Sequence, residues 1–184
     1  MILKRIIIKF VKEYKINKSK RNRTYMVKYL KELGIKIGKG SRLNCAIDSF
    51  GSEPYLITIG ENCLIAQNVK FITHDGAVHI LNSLNYFNGK KMDNIAPINI
   101  GNNVYIGMNA MIMPGVSIGN NVIIGAGSIV TKNIDSDSVV VGVPARKIGT
   151  IKQYYENNKI KNRFYPTAEL DSIEKRRYFK NLNL

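Results

Sequence analysis

The sequence predicts an all-β solenoid, on three positional regularities that recur every six residues. Aliphatic residues open each unit at Ile100, Ile106, Ile112, Ile118, Ile124 and Val130. A small or β-branched residue follows four later at Val104, Ala110, Val116, Val122, Ser128 and Ile134. Before it stands Asn103, Asn109, Gly115, Asn121, Gly127 or Asn133, all Asn or Gly, the types that adopt a left-handed backbone at least cost. Each hexad therefore reads as a short strand ended by a corner. Three hexads make a triangular turn, and stacked turns bury a column of Ile and Val. A helix is excluded by the period and by Gly101, Gly107, Gly119 and Gly125, each of which costs about 1 kcal/mol in a helix interior.

Taken in order, residues 1–34 form a basic helical segment. Ile2, Leu3, Ile6, Ile7, Phe10, Val11 and Tyr14 recur at three- and four-residue spacing as one apolar stripe with basic flanks. Two roles are open to it: a cap on the end of the solenoid, which every solenoid needs, or peripheral contact with an anionic membrane. The solenoid spans 35–147, beginning irregularly at Ile37, Gly38, Gly40 and Ser41. Ile59, Ile65 and Phe71 then open hexads, with Cys63 and Val69 inward and Asn62 and Asn68 at corners. His74 falls in the next corner place, and His is among the few non-glycine types enriched in the left-handed region, so it is expected to keep that geometry. The phase is lost over about 75–97, where Gly76, Asn82, Asn85, Asn88, Gly89 and Pro97 flank a few apolar residues, so this stretch reads as a loop expelled beside His74. After Pro144 the hexads stop. Residues 148–184 read as one or two polar helices broken near Pro166, with Tyr154, Tyr155, Phe164, Leu170, Ile173, Tyr178 and Phe179 packing on the solenoid or a neighbouring subunit.

Composition narrows the function classes. No apolar run is long enough to span a bilayer, and Lys9, Lys12 and Lys15 interrupt any signal-peptide core, so the chain is expected in the cytoplasm. Cys45 and Cys63 have no metal or disulfide spacing, and Cys63 reads as a small buried hydrophobe. With His74 and His79 as the two histidines, a zinc site built from several imidazoles is excluded, and no metal is expected. The net charge of +15 is concentrated in the first forty residues. Without a helix–turn–helix, aromatic platform or zinc pattern it does not indicate nucleic acid.

Ile106-Gly107-Met108-Asn109-Ala110, Pro114-Gly115-Val116-Ser117-Ile118-Gly119, Ile124-Gly125-Ala126-Gly127-Ser128-Ile129-Val130-Thr131-Lys132 and Gly142-Val143-Pro144-Ala145-Arg146 resemble the hexapeptide-repeat acyltransferase family. Phe50-Gly51-Ser52-Glu53-Pro54-Tyr55 and Phe71-Ile72-Thr73-His74-Asp75-Gly76 resemble its branch that O-acetylates sugars in capsule, lipopolysaccharide or other surface-polysaccharide pathways. The resemblance implies a left-handed parallel β-helix, an exception to the right-handed crossover rule. It also implies a homotrimer with acetyl-coenzyme A between subunits, and a histidine base beside an expelled loop, the description His74 fits. Met108, Ala126, Thr131, Lys132 and Arg146 then lie along the pantetheine arm and the phosphates. Where some relatives carry a second arginine this chain has Gly149, with Lys147 nearby.

The chemistry agrees with that choice. Acetyl transfer to a hydroxyl requires removal of the hydroxyl proton as oxygen attacks, a task suited to an imidazole with a pKa near 6.5. Such an imidazole needs a group to set its tautomer, and both Asp75, adjacent in sequence, and Glu53, one coil earlier, are candidates. Competing readings are an O-acetyltransferase for serine or a hydroxylated antibiotic, and a non-catalytic trimeric scaffold.

Overall fold

The computed structural model describes the backbone of residues 2–182 and side chains from residue 10 onward. Helices α1 (Ile2–Arg21) and α2 (Arg23–Glu32) lead into the strands. These are β1 (Lys36–Ile37), β2 (Arg42–Leu43), β3 (Ile57–Ile59), β4 (Leu64–Ile65) and β5 (Lys70–Phe71) before the loop. Helix α3 (Val78–Ser83) lies within the loop. Beyond it come β6 (Ile98–Ile100), β7 (Val104–Ile106), β8 (Met111–Ile112), β9 (Ser117–Ile118), β10 (Val122–Ile124), β11 (Ile129–Val130), β12 (Ser138–Val141) and β13 (Arg146–Gly149). Helices α4 (Ile151–Ile160) and α5 (Ser172–Asn181) follow.

The strands deal themselves into three sheets, β1-β3-β6-β9, β2-β4-β7-β10-β12-β13 and β5-β8-β11, parallel everywhere except at the β12–β13 pair. From β3 to β11 every third strand returns to the same sheet, giving a three-sided solenoid. Register sets the repeat at 18 residues, with Ile100 opposite Ile118, Ile106 opposite Ile124 and Ile112 opposite Val130. Between Ile59 and Ile100 the offset is 41 residues, so 23 extra residues leave the coil without disturbing its phase.

Two-residue strands make few hydrogen bonds, so the interior column has to supply cohesion. Ile65, Ile106, Ile124 and Val140 stack in one row, and Phe71, Ile112 and Val130 in another, all at most 4% exposed. Each such side chain contributes roughly 1.5–3 kcal/mol on burial. The polar corners bind one another along the axis: Asn103 donates to Asn121 and Asn121 to Asp137, each at 3.0 Å. Asn62, Asn68, Asn103, Asn109 and Asn121 have φ between 53° and 59°, as their place in the hexad predicts.

Two corners depart from expectation. His74 is not among the residues with positive φ; it forms an antiparallel bridge with Ile95. The bridge is flanked by Asp75 N–H donating to the Asn94 carbonyl (2.8 Å) and Ala96 N–H donating to the Thr73 carbonyl (2.9 Å). The chain leaves the coil here to enter the loop, and a two-stranded neck requires extended backbone. Asn133 also lacks positive φ; its side chain accepts the Ser117 N–H at 2.8 Å, beside a final coil whose offset is only 16 residues.

At the N-terminal end, α1 and α2 are held by a Lys15–Glu32 ion pair at 2.7 Å, and Asn22 caps α2 by accepting the Tyr25 N–H. Met26 and Leu30 of α2 belong to the same buried cluster as Leu43, Phe50 and Ile57, so α2 closes the column. The apolar stripe is divided: the side chains of Ile2, Leu3, Ile6 and Ile7 lie outside the described residues, while Phe10, Val11 and Tyr14 are exposed. No helix among the described residues is long and apolar enough to cross a membrane.

Residues 152–184 form a second compact unit. Its aromatic residues pack on one another, with Tyr155 stacked on Phe164 and Tyr165 edge-on to Tyr178 and Phe179. Asp171 and Glu174 cap α5 reciprocally.

Candidate active site

The first coil lacks a third strand. In its place a 3-10 turn, Ile47–Phe50, inserts Phe50 into the column, where its ring stacks on Phe71 at 5.2 Å. Pro54 starts a second turn, Pro54–Leu56, and Leu56 N–H donates to the Glu53 carbonyl. Glu53 is thereby fixed between two turns at the level of the loop neck. One of its carboxylate oxygens, Oε2, accepts the buried Thr73 hydroxyl at 2.6 Å and lies 2.9 Å from His74 Nδ1.

Hydrogen bonds from the Ser52 and Thr73 side chains, then from His74, hold the Glu53 carboxyl down to about 2, against an ordinary value of 4.5. Glu53 is therefore ionised at neutral pH and accepts a proton-bearing Nδ1, which leaves Nε2 as the imidazole's basic nitrogen in the neutral tautomer. The His74 side chain is half exposed and Glu53 is only 15% exposed, so the imidazole opens outward while its partner is shielded. Asp75 faces elsewhere: its Oδ1 accepts the Ala77 N–H at 2.9 Å. His74, Glu53 and Asp75 nevertheless line one pocket of about 210 Å³ together with Ser52, Val78 and Asp93 to Ile95 from the loop. His79 lies on α3, outside the lining of that pocket.

A depressed carboxyl favours folding above its unfolded value, and that contribution disappears as pH falls through the folded value. Unfolding free energy from denaturant titration should therefore fall between pH 4.5 and about 2 partly through Glu53. Glu53→Gln is expected to flatten that decline; equal slopes in the two proteins would refute the linkage.

The residues expected along the cofactor fall into two groups. Met108 and Ala126 are exposed on adjacent coils, where the Met108 carbonyl accepts the Gly127 N–H at 2.8 Å. Nothing lies within 4 Å of where a Gly127 Cβ would stand, so a ligand has free approach to the backbone there. Lys132 and Arg146, with Lys147, line a second pocket of about 280 Å³ near the last coil. Thr131 precedes Lys132 and is exposed. An apolar arm against the first group and phosphates among the cations of the second suit these surfaces. Burial pushes the Cys45 thiol up to about 11 and raises that of Cys63, so neither is a ready nucleophile. Among the described residues no cluster of His, Cys, Asp and Glu is arranged to hold a metal ion.

Sequence reasoning overlooked Thr73 and Ser52. Both stand in the two stretches quoted above, but only the fold shows their side chains acting on Glu53.

A family model described as bacterial transferase hexapeptide (six repeats) matches residues 97–132. Protein CapG of Staphylococcus aureus is 46% identical over 153 residues, covering 83% of this chain and 86% of that protein. The galactoside O-acetyltransferase of Escherichia coli K12 is 48% identical over 108 residues, covering 56% of this chain and 50% of that enzyme, so the chain spans about half its length. Among solved structures, a hexapeptide-repeat acetyltransferase from Vibrio cholerae complexed with acetyl-coenzyme A superposes with a TM-score of 0.54 at 28% identity. That superposition covers 64% of this chain and 61% of the other. The comparisons thus place this three-sided parallel solenoid among acetyltransferases. The chain belongs to the hexapeptide-repeat acyltransferase family.

Proposed function

We propose that this protein transfers the acetyl group of acetyl-coenzyme A to a sugar hydroxyl, in capsule, lipopolysaccharide or other surface-polysaccharide synthesis, with His74 as general base. The observation that carries the reading is the His74 Nδ1 to Glu53 Oε2 contact of 2.9 Å, inside a pocket walled by the loop. Acetyl-coenzyme A supplies an activated acyl carbon whose C–S bond breaks as the C–O bond forms. His74 Nε2 takes the hydroxyl proton and returns it to the departing thiolate. Glu53 keeps the Nδ1 proton in place and stabilises the imidazolium, as the carboxylate of a triad does. A backbone N–H stabilises the oxyanion. Met108 and Ala126 receive the pantetheine arm, while Thr131, Lys132 and Arg146 bind the phosphates.

The solenoid winds left-handed and three chains assemble with the sites between them. Its support is the outward row of the middle sheet, where register stacks the partly exposed Leu64, Tyr105 and Ile123 next to Arg42, an apolar step suited to an interface. The matching row of the first sheet, Lys36, Thr58, Asn99 and Ser117, is polar and suits solvent. Light scattering should give the mass of three chains; a monomer would contradict the shared site. The enzyme works in the cytoplasm, and the exposed Phe10, Val11 and Tyr14 form the part of α1 suited to peripheral contact with a membrane.

The acceptor supports a sugar rather than serine or an antibiotic through the likeness to the galactoside enzyme. Thiol release from acetyl-coenzyme A, followed with a panel of galactosides, glucosides, serine and chloramphenicol, should rise with a sugar. Release with serine or the antibiotic alone would replace the sugar reading, and none at all would favour a scaffold.

A further inference from the structure

A larger cavity, of about 620 Å³, lies beneath the N-terminal helices and reaches the wall of the His74 pocket. Lys12, Ile16 and Lys20 enter it from α1, spaced four apart and so on one helical face. Leu30 and Phe50, at most 1% exposed, lie in its floor, and Tyr55 stands exposed at its edge. Its volume falls in the range that takes a small organic molecule, about 300–1,000 Å³.

The charges around it are unbalanced. Its acidic lining residue, Asp48, is already paired with Lys70 at 3.0 Å. On α1 itself, Lys15 points to α2 and pairs with Glu32. Lys12 and Lys20 have no acidic partner among the described residues, so the groove presents two uncompensated ammonium groups above an apolar floor. An occupant matching both features carries an apolar chain and a negative charge. Ser52 lines this cavity and the His74 pocket alike, one residue from Glu53. A molecule long enough to pass Ser52 therefore reaches from this groove into the His74 pocket.

We propose that the groove holds the far part of the acceptor, a phosphate ester on an apolar chain, so that the sugar presented to His74 is lipid-linked through phosphate. This rests on the acetyltransferase reading for the sugar end and on the groove alone for the chain. Ile16, Leu33 and Tyr55 cover the chain, Lys12 and Lys20 attract the phosphate, and the turn at Ser52 carries the acceptor over to the base.

The test uses octyl phosphate and octyl glucoside, which share a chain and differ in charge, titrated calorimetrically into the full-length protein below their micellar concentrations. Octyl phosphate should bind, and Lys12→Ala with Lys20→Ala should weaken it about tenfold or more, as loss of charged hydrogen bonds does. Octyl glucoside should change less than about twofold in the same variant. Ile16→Trp, which fills the groove, should weaken both, with an unchanged melting temperature showing that the fold persists. In the thiol-release assay octyl phosphate should compete with the sugar and not with acetyl-coenzyme A. Binding indifferent to the two lysines, or competition with the donor, overturns the proposal. So does vesicle sedimentation on phosphatidylglycerol that needs Lys12 and Lys20 while octyl phosphate binding does not, because the lysines then serve a lipid surface. Lysine-dependent binding without acetyl transfer to any sugar would refute the acetyltransferase reading and, with it, the lipid-linked acceptor, leaving an anion-binding groove; transfer without that binding would refute this inference alone.

Discussion

His74→Ala should lower kcat for acetyl transfer by about a thousandfold, within the range that positioned general bases supply. The KM for acetyl-coenzyme A should change by less than about threefold, because the residues assigned to the donor, Met108, Ala126, Thr131, Lys132 and Arg146, stand on other coils. The size of the effect follows from the Glu53 contact. An ionised carboxylate shared between the Thr73 hydroxyl and Nδ1 holds the ring in one tautomer and one orientation, so the proposed base is preorganised before an acceptor arrives. Thiol release under saturating donor, with melting temperature as a check on folding, measures it. A kcat within threefold of the parent would remove His74 from the mechanism.

Gly107→Ala should destabilise the fold by about 3 kcal/mol, the upper end for overpacking. A Cβ at Gly107 would stand 2.5 Å from the Ala126 nitrogen and 2.8 Å from the Ala126 Cα and the Gly125 carbonyl carbon, all backbone of the next coil. Backbone cannot rotate away as a side chain does, so the coils must separate and strain the Gly107 N–H bond to the Ile124 carbonyl. Gly127→Ala provides the contrast. Its Cβ would meet nothing within 4 Å, and the cost there is conformational, about 1–2 kcal/mol for an L-residue at φ +69°. Urea unfolding of both variants decides it: a Gly127→Ala cost equal to or above that of Gly107→Ala would mean that coil spacing yields more easily than the contact distances imply.

The hexad itself made most of the solenoid legible. An Ile every six residues, Asn or Gly before each inward residue, and the phase carried back to Ile59 specify which side chains enter the column and where the backbone turns. His74 and Glu53 were readable because one follows the coil phase and the other lies one coil earlier. The choice between Glu53 and Asp75 as its hydrogen-bond partner was not, because it depends on the turn at Pro54 and on Asp75 folding back to Ala77 N–H, neither of which follows from spacing. The left-handed expectation at His74 failed for a related reason. Hexad phase reports where a corner would fall if the coil continued, and here the chain leaves. Thr73 and Ser52 were invisible because a hydroxyl beside a carboxylate is a property of three-dimensional neighbours, not of sequence order. The N-terminal helices were legible as basic and apolar, but Met26 and Leu30, the α2 residues that join the buried column, lie outside the stripe from Ile2 to Tyr14.

The short ladder at the neck of the loop separates two things that evolution or an engineer can alter independently. Thr73 and Asp75 grip Ala96 and Asn94 across His74 and Ile95, and the coil resumes in phase at Ile98. Whatever lies between the two sides of that clasp can be lengthened, shortened or exchanged for a foreign segment while the imidazole keeps its seat on Glu53. Under the proposed function the loop walls the acceptor pocket, so grafting a different loop between residues 76 and 93 should change which acceptor is taken while the His74–Glu53 contact stays where it is.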